Sequence, residues 1–162
     1  MGQGYVDPIP MAVIILLLCF AVMWVILNKT PYGRYIYAVG GNPKAAEASG
    51  ISPKAVTFKA YLLDGALVGV GSLLLMGRLN SGVPGAGLSY EMDAITAVIV
   101  GGTSMSGGSG TLGGTLVGAV IVGIINNVQT LMGVDSNIQK IVKGVIIVVA
   151  VLIDVKGKTK KN

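Results

Sequence analysis

Ile9-Pro-Met-Ala-Val-Ile-Ile-Leu-Leu-Leu-Cys-Phe-Ala-Val-Met-Trp-Val-Ile-Leu27 is the stretch that decides how this chain folds. Its 19 residues carry no charge, close to the ~20 that take an α-helix across the hydrocarbon core of a bilayer. Pro8 and Pro10 block helix formation immediately upstream. A cleaved signal peptide would set a shorter apolar region behind basic residues, whereas the lead-in, residues 1–8, holds only Asp7. The stretch therefore reads as a membrane span.

The rest of the chain agrees. Of its 162 residues 52% are apolar and only 12% charged, about half the ~25% of a soluble domain. Mean hydropathy is +0.76 and glycines number 25. There is no His and a single Cys, Cys19. That excludes His-based acid–base chemistry, His-rich metal sites and a disulfide framework. So few reactive groups in so much hydrocarbon point to moving something rather than transforming it.

Working outward, further apolar stretches cover residues 58–76, interrupted by Asp64, then 94–100, 112–132 and 138–153. Nine of the twelve bases fall on two segments. Lys29, Arg34, Lys44, Lys54 and Lys59 lie in residues 28–59, which end at the start of the second span, and Lys156, Lys158, Lys160 and Lys161 lie in the tail. Short loops rich in Lys and Arg stay cytoplasmic, so the N-terminus is expected outside and the C-terminus inside. Tyr32, Tyr35 and Tyr37 fall where an inner aromatic belt belongs. Such an orientation needs an odd number of crossings, so the short stretch near 94–100 should cross as a broken helix enclosed by protein or lining a cavity. The expectation is an all-α fold, a polytopic transmembrane helical bundle of about five segments at 9–27, 58–76, 92–101, 112–132 and 138–155. Lys140 and Lys143 would then lie near the outer end of the last span, against the charge rule, which snorkelling or a cavity-facing position could accommodate.

The inner loop, residues 28–57, contains a helix with both ends written out. Asn42 suits the N-cap and Pro43 the first helical position. Residues 44–49 are mostly helix formers, and Gly50 is a natural left-handed terminator. Ser52 and Pro53 repeat the start signal for the next helix. Two turns are not stable alone, so something must hold them, and Ala45, Ala46 and Ala48 would let a partner surface approach closely. From the residues alone, a plain connecting loop on the membrane surface is an equal reading.

Gly40-Gly-Asn-Pro-Lys-Ala-Ala-Glu-Ala-Ser-Gly-Ile51 strongly resembles the cytoplasmic loop of permease subunits in ribose- and galactose-type sugar ABC importers. The resemblance continues through Gly77-Arg78-Leu79, Tyr90-Glu-Met-Asp-Ala-Ile95, Val100-Gly-Gly-Thr-Ser-Met-Ser-Gly-Gly-Ser-Gly110, Ile125-Asn-Asn127 and Ile141-Val-Lys-Gly-Val145. It covers residues 27–154. The resemblance implies that Gly40, Gly41, Asn42, Pro43, Ala45, Ala46, Ser49 and Gly50 build a short cytoplasmic coupling helix that docks into a cytoplasmic ABC ATPase subunit. It implies no cofactor on this chain, with ATP and Mg held by that partner. It also implies an extracytoplasmic sugar-binding protein, a second permease copy or an N-terminal half, the bacterial inner membrane, and no nucleic acid. Permeases of this kind are roughly twice as long, so the chain is expected to be a C-terminal half.

Gly108-Ser-Gly110-Thr-Leu-Gly113 satisfies the dinucleotide spacing G-x-G-x-x-G, with Asp135 downstream. A Rossmann fold needs a soluble sheet with charged outer helices, and no charge falls between Asp93 and Asp135, so that reading is rejected. Gly110, Gly114 and Gly118, followed by Ala119 and Gly123, give instead the small-xxx-small pattern of close-packed membrane helices, repeated at Gly65 and Gly69. Gly101, Gly102, Ser104, Gly107 and Gly108 are too flexible and polar for a lipid-facing helix and read as an unwound inner end. A simple tight turn is the alternative. In the family, such a segment would line or gate the translocation route.

Asn126 and Asn127 lie within a span, where bonding across helices is commoner than substrate binding. Asp64 is expected to pair with a base such as Lys59. Glu91 and Asp93 on the outer side could contact a binding protein or sugar, or cap the following helix. Besides the importer, a branched-chain amino-acid permease and a small oligomeric channel or scaffold stay open. The capped loop helix argues against the channel, and the want of reactive groups against a membrane enzyme.

Overall fold

Pro10 sets where the first helix begins. In a computed structural model that describes residues 5, 6 and 9–159, the extended pair β1 (Tyr5–Val6) and β2 (Ile9–Pro10) lies antiparallel, with Tyr5 opposite Pro10 and Val6 opposite Ile9. Helix α1 (Met11–Lys29) then starts two residues later than its apolar run, because Pro10 occupies the N-cap at ψ 133°. α2 (Pro31–Gly41), α3 (Pro43–Ala48), α4 (Pro53–Leu79), α5 (Tyr90–Val100), α6 (Leu112–Leu131) and α7 (Ser136–Thr159) follow. The architecture is all-α, and α1, α4 and α6 are each long and apolar enough to cross a membrane. The chain divides into two units, Met1–Ala86 and Gly87–Asn162.

In the first unit the inner loop holds more helix than its sequence suggested. The stretch before Asn42 reads as loop, yet Pro31–Gly41 is helical, with Pro31 at its first turn after the extended Thr30. Tyr32, Ile36 and Val39 turn inward at helical spacing, and Gly33 is buried. A Cβ on Gly33 would strike the Leu27 carbonyl, so the missing side chain is what lets α2 fold back against the end of α1. The Tyr32 hydroxyl donates to the Val56 carbonyl at 3.0 Å, tying α2 to α4. Tyr32 thus faces the protein, while Tyr35 and Tyr37 are exposed. A cleft of about 330 Å³ separates α2 from α4, lined by Ile36, Val39, Ala60, Tyr61 and Asp64 among others.

The second unit is organised by α5, whose 11 residues span only ~16 Å at 1.5 Å each, about half the hydrocarbon core. Its core is small: Thr96, Ala97 and Ile99 of α5, and Gly118 and Val122 of α6, are buried. A Cβ on Gly114 would meet the Gly101 carbonyl, and one on Gly118 the Ala97 carbonyl. The small-residue spacing is therefore used there. Gly65, Gly69, Gly113 and Gly123 have open space where a Cβ would stand. Most large apolar side chains, including Leu16, Leu17, Leu18, Phe58, Leu62, Val117 and Ile124, are exposed. α1 buries none of its residues.

Candidate functional site

α3 is closed at both ends by its own residues. Asn42 sits extended between α2 and α3, and its side-chain oxygen accepts from the Ala45 N–H at 3.1 Å. Pro43 takes the first helical position, where a missing N–H costs nothing. At the far end Ile51 N–H reaches the Ala46 carbonyl at 3.0 Å and Gly50 N–H the Glu47 carbonyl at 2.9 Å. These are the paired bonds of a Schellman motif, with Gly50 at φ +81° in the left-handed position it requires. Ser49 Oγ donates back to the Ala45 carbonyl at 3.0 Å. The next helix starts directly, with Ser52 Oγ accepting from the Ala55 N–H at 3.4 Å.

Six residues of helix have faces of opposite character. Ala46 is 5% exposed and packs into the unit's own interior, while Lys44, Ala45, Glu47 and Ala48 are exposed. This corrects the expectation that all three alanines offer themselves to a partner, because Ala46 is already covered by this chain. Gly40 and Gly41, at the end of α2, are exposed, and Gly40 also lines the α2–α4 cleft. Beside α3, Tyr32, Tyr35, Ser49, Ser52 and Lys59 border a second cleft of about 370 Å³. Burial raises the Tyr32 phenol above its ordinary value of 10.0, since the phenolate would lose water without gaining a cation. Asp64 is exposed, and among the described residues it makes no ion pair with Lys59. The two lie five positions apart, off the three- and four-residue spacing that brings helix side chains together.

The second group gathers round the interrupted segment. Glu91 and Asp93 fall in the first turn of α5, where the helix dipole favours negative charge. Ser89 occupies the N-cap at φ +74° with no side-chain cap bond, and Glu91 is exposed. Asp93 is engaged: its Oδ1 lies 2.6 Å from Lys143 Nζ, with the side chains 23% and 13% exposed respectively. α5 ends at Gly101, and the chain then turns through residues 102–111 without helix. Gly102, Gly107 and Gly108 adopt φ of +82°, +84° and +76°. Ser104 between them is buried and donates to Asp154 Oδ2 at 2.8 Å, while its oxygen accepts from the Ser106 N–H at 3.3 Å. Ile99, Val100, Thr103, Val149 and Asp154 are among the residues that line a cleft of about 590 Å³ between this segment and α7.

Asn126 Oδ1 is enclosed with no hydrogen-bond partner among the described residues, as is Gln129 Oε1 one turn on. Asn127 is exposed. The expected bond from Asn126 across helices is not made by that oxygen. Sequence reasoning named Glu91, Asp93 and Ser104 but missed Lys143 and Asp154, the groups that hold two of them. The signal was present in Lys143, a charge set within an otherwise apolar stretch.

The chain matches, over residues 2–151, the family model described as branched-chain amino acid transport system / permease component. It is 50% identical over 155 residues to the ribose import permease protein RbsC of Bacillus subtilis (strain 168), covering 96% of this chain and 48% of that protein. With RbsC of Haemophilus influenzae it shares 48% identity over 160 residues, 99% of this chain and 50% of the relative. With the galactose/methyl galactoside import permease protein MglC of Salmonella typhimurium it shares 44% over 138 residues, 85% of this chain and 41% of the relative. The chain spans about half the length of the curated relatives it matches. No solved structure matches it.

Proposed function

This chain belongs to the family of branched-chain amino acid transport system permease components, and from that premise we propose that it forms part of the membrane pathway of an ATP-driven monosaccharide importer. Sugar is preferred over branched-chain amino acids because the relatives at 44–50% identity are named as ribose and galactose/methyl galactoside import permeases. The single observation that carries the coupling role is α3, a helix capped at both ends that buries Ala46 and presents Lys44, Ala45, Glu47 and Ala48. Small exposed side chains let a thin helix enter a groove on a cytoplasmic ATPase subunit. ATP and Mg belong to that subunit, which performs the hydrolysis. α3 runs into α4 through a four-residue link, residues 49–52, and the Tyr32 hydroxyl bonds the first turn of α4 to α2. A displacement of α3 therefore reaches the base of α4 as a unit rather than being lost in slack loop.

The remaining parts fit alternating access. The basic charge of residues 28–57 and 156–162 supports a cytoplasmic side there, with the N-terminus outside and the C-terminus inside the bacterial inner membrane. Non-helical backbone at membrane depth is tolerated only against protein or a water-filled cavity, and Gly101, Gly102, Ser104, Gly107 and Gly108 supply such backbone beside a cleft. Glu91 at the outer end suits an extracytoplasmic sugar-binding protein, while Asn126 and Asn127 offer polar atoms within the span. A second permease copy completes the pathway. Two measurements test the reading. A photo-cross-linking residue at Ala48 should join the co-expressed ATPase subunit, and absence of that adduct contradicts the docking. Cells dependent on the protein, its ATPase and its binding protein should take up ribose or galactose. Leucine uptake in their place would establish the amino-acid reading instead.

A further inference from the structure

Two polar contacts fasten the interrupted segment to α7, and the transport reading by itself requires neither. Within α5, the Lys143 ammonium meets Asp93. Beyond its other end, in the unwound tract, Ser104 meets Asp154. Each contact joins residues fifty positions apart, so the register between the segment and α7 is the same at both ends. The eleven residues from 143 to 154 lie in unbroken helix and advance ~16 Å. The eleven from 93 to 104 pass from helix into turn after Val100. A continuous helix thus lies alongside a discontinuous one, attached at both ends of the same interval.

The two attachments differ in strength. Asp93–Lys143 joins two charges on helical backbone, both largely shielded from solvent. A lone charge left in such a place is expensive, which makes this contact hard to open. Ser104–Asp154 is one hydrogen bond from a hydroxyl, and Ser104 sits between glycines in left-handed conformations on both sides, Gly102 before it and Gly107 and Gly108 after it. The cleft of about 590 Å³ lies at this end and includes Asp154 in its lining. Room, glycine hinges and the weaker bond coincide.

We propose that Asp93 and Lys143 are positioning residues that anchor α5 on α7, while Ser104 and Asp154 form a releasable second contact, so that the glycine tract swings about a fixed helix during transport. The proposal rests on the permease reading, and one of its readouts is independent of that reading. In a Cys19→Ser background, Thr96→Cys places a thiol at a site only 1% exposed. Maleimide labelling of that thiol in the detergent-purified protein reports opening of α5, whatever the chain transports. Asp93→Asn and Lys143→Gln should each speed labelling by on the order of a hundredfold, and the exchange Asp93→Lys/Lys143→Asp should restore slow labelling. Ser104→Ala and Asp154→Asn should leave labelling at the parent rate. In proteoliposomes with the ATPase and the sugar-loaded binding protein, they should change kcat for uptake by about tenfold with KM unmoved. The neutral pair Asp93→Asn/Lys143→Gln leaves no lone charge and keeps the test alive if the single variants fail to accumulate. It should label faster than the parent. Parent-rate labelling in the single or paired variants overturns the anchor, as does an exchange that labels as fast as the singles. Unchanged kcat in Ser104→Ala and Asp154→Asn overturns the releasable contact.

Discussion

Gly118 lies against the Ala97 carbonyl with no side chain between them, and Gly114 meets Gly101 in the same way one turn earlier. These contacts set how closely α6 approaches α5. Gly118→Val should therefore destabilise the protein in detergent by about 1–3 kcal/mol or more, since backbone on the other side cannot give way. Gly65→Ala, where a Cβ meets nothing, should leave thermal stability unchanged or slightly raised. Equal effects of the two substitutions would contradict the packing described. Tyr32→Phe should cost about 1 kcal/mol by removing the hydroxyl's hydrogen bond to the Val56 carbonyl. Its phenol is raised by burial, so it is neutral in both folded and unfolded states below the ordinary value. As pH rises past that value the unfolded chain releases the proton first, and stability falls. Tyr32→Phe should lose that part of the alkaline slope in thermal melts, with wild type retaining it. At this scale the sequence revealed that small residues repeat every fourth position. It did not reveal that Gly114 and Gly118 meet a neighbour while Gly65, Gly69 and Gly123 do not, because spacing defines a stripe and not what faces it.

Among the elements, α3 was the most legible. Its cap, first-turn proline and left-handed glycine are local chemistry, and local chemistry can be read without knowing the fold. What could not be read was which alanine turns inward, because that depends on α2, a helix the sequence disguised as loop behind Gly33, Gly40 and three tyrosines. The consequence is experimental. Asn42→Ala should weaken the helix start by about 1 kcal/mol, visible as faster amide exchange over residues 44–49. Ala46→Trp should disturb the first unit itself, whereas Ala48→Trp, on the exposed side, should leave thermal stability intact while impeding a partner. The same distinction holds in α7. Its apolar run was plain from the sequence, but the reason Lys143 can sit within it is Asp93, fifty residues away on α5. Ion pairs between distant elements leave no local trace beyond the oddity of a charge in the wrong place.

For the whole molecule, composition and exposed apolar surface together point to a membrane. Three helices qualify by length and hydropathy, and the large exposed apolar residues on α1, α4 and α6 demand lipid or further protein. The protein should accordingly stay with the membrane fraction through carbonate extraction. Release into the soluble fraction would contradict a membrane-spanning fold. The chain spans about half the length of the curated relatives it matches. In the proposed function, movement passes between ATP hydrolysis and this membrane segment through the exposed side of α3. This coupling is tested most directly by sugar-stimulated ATP hydrolysis in proteoliposomes containing the ATPase subunit, the binding protein and either wild-type protein or Ala48→Trp. The variant should fold and insert as wild type does but lose most of the stimulation by sugar-loaded binding protein. Full stimulation in Ala48→Trp would contradict it.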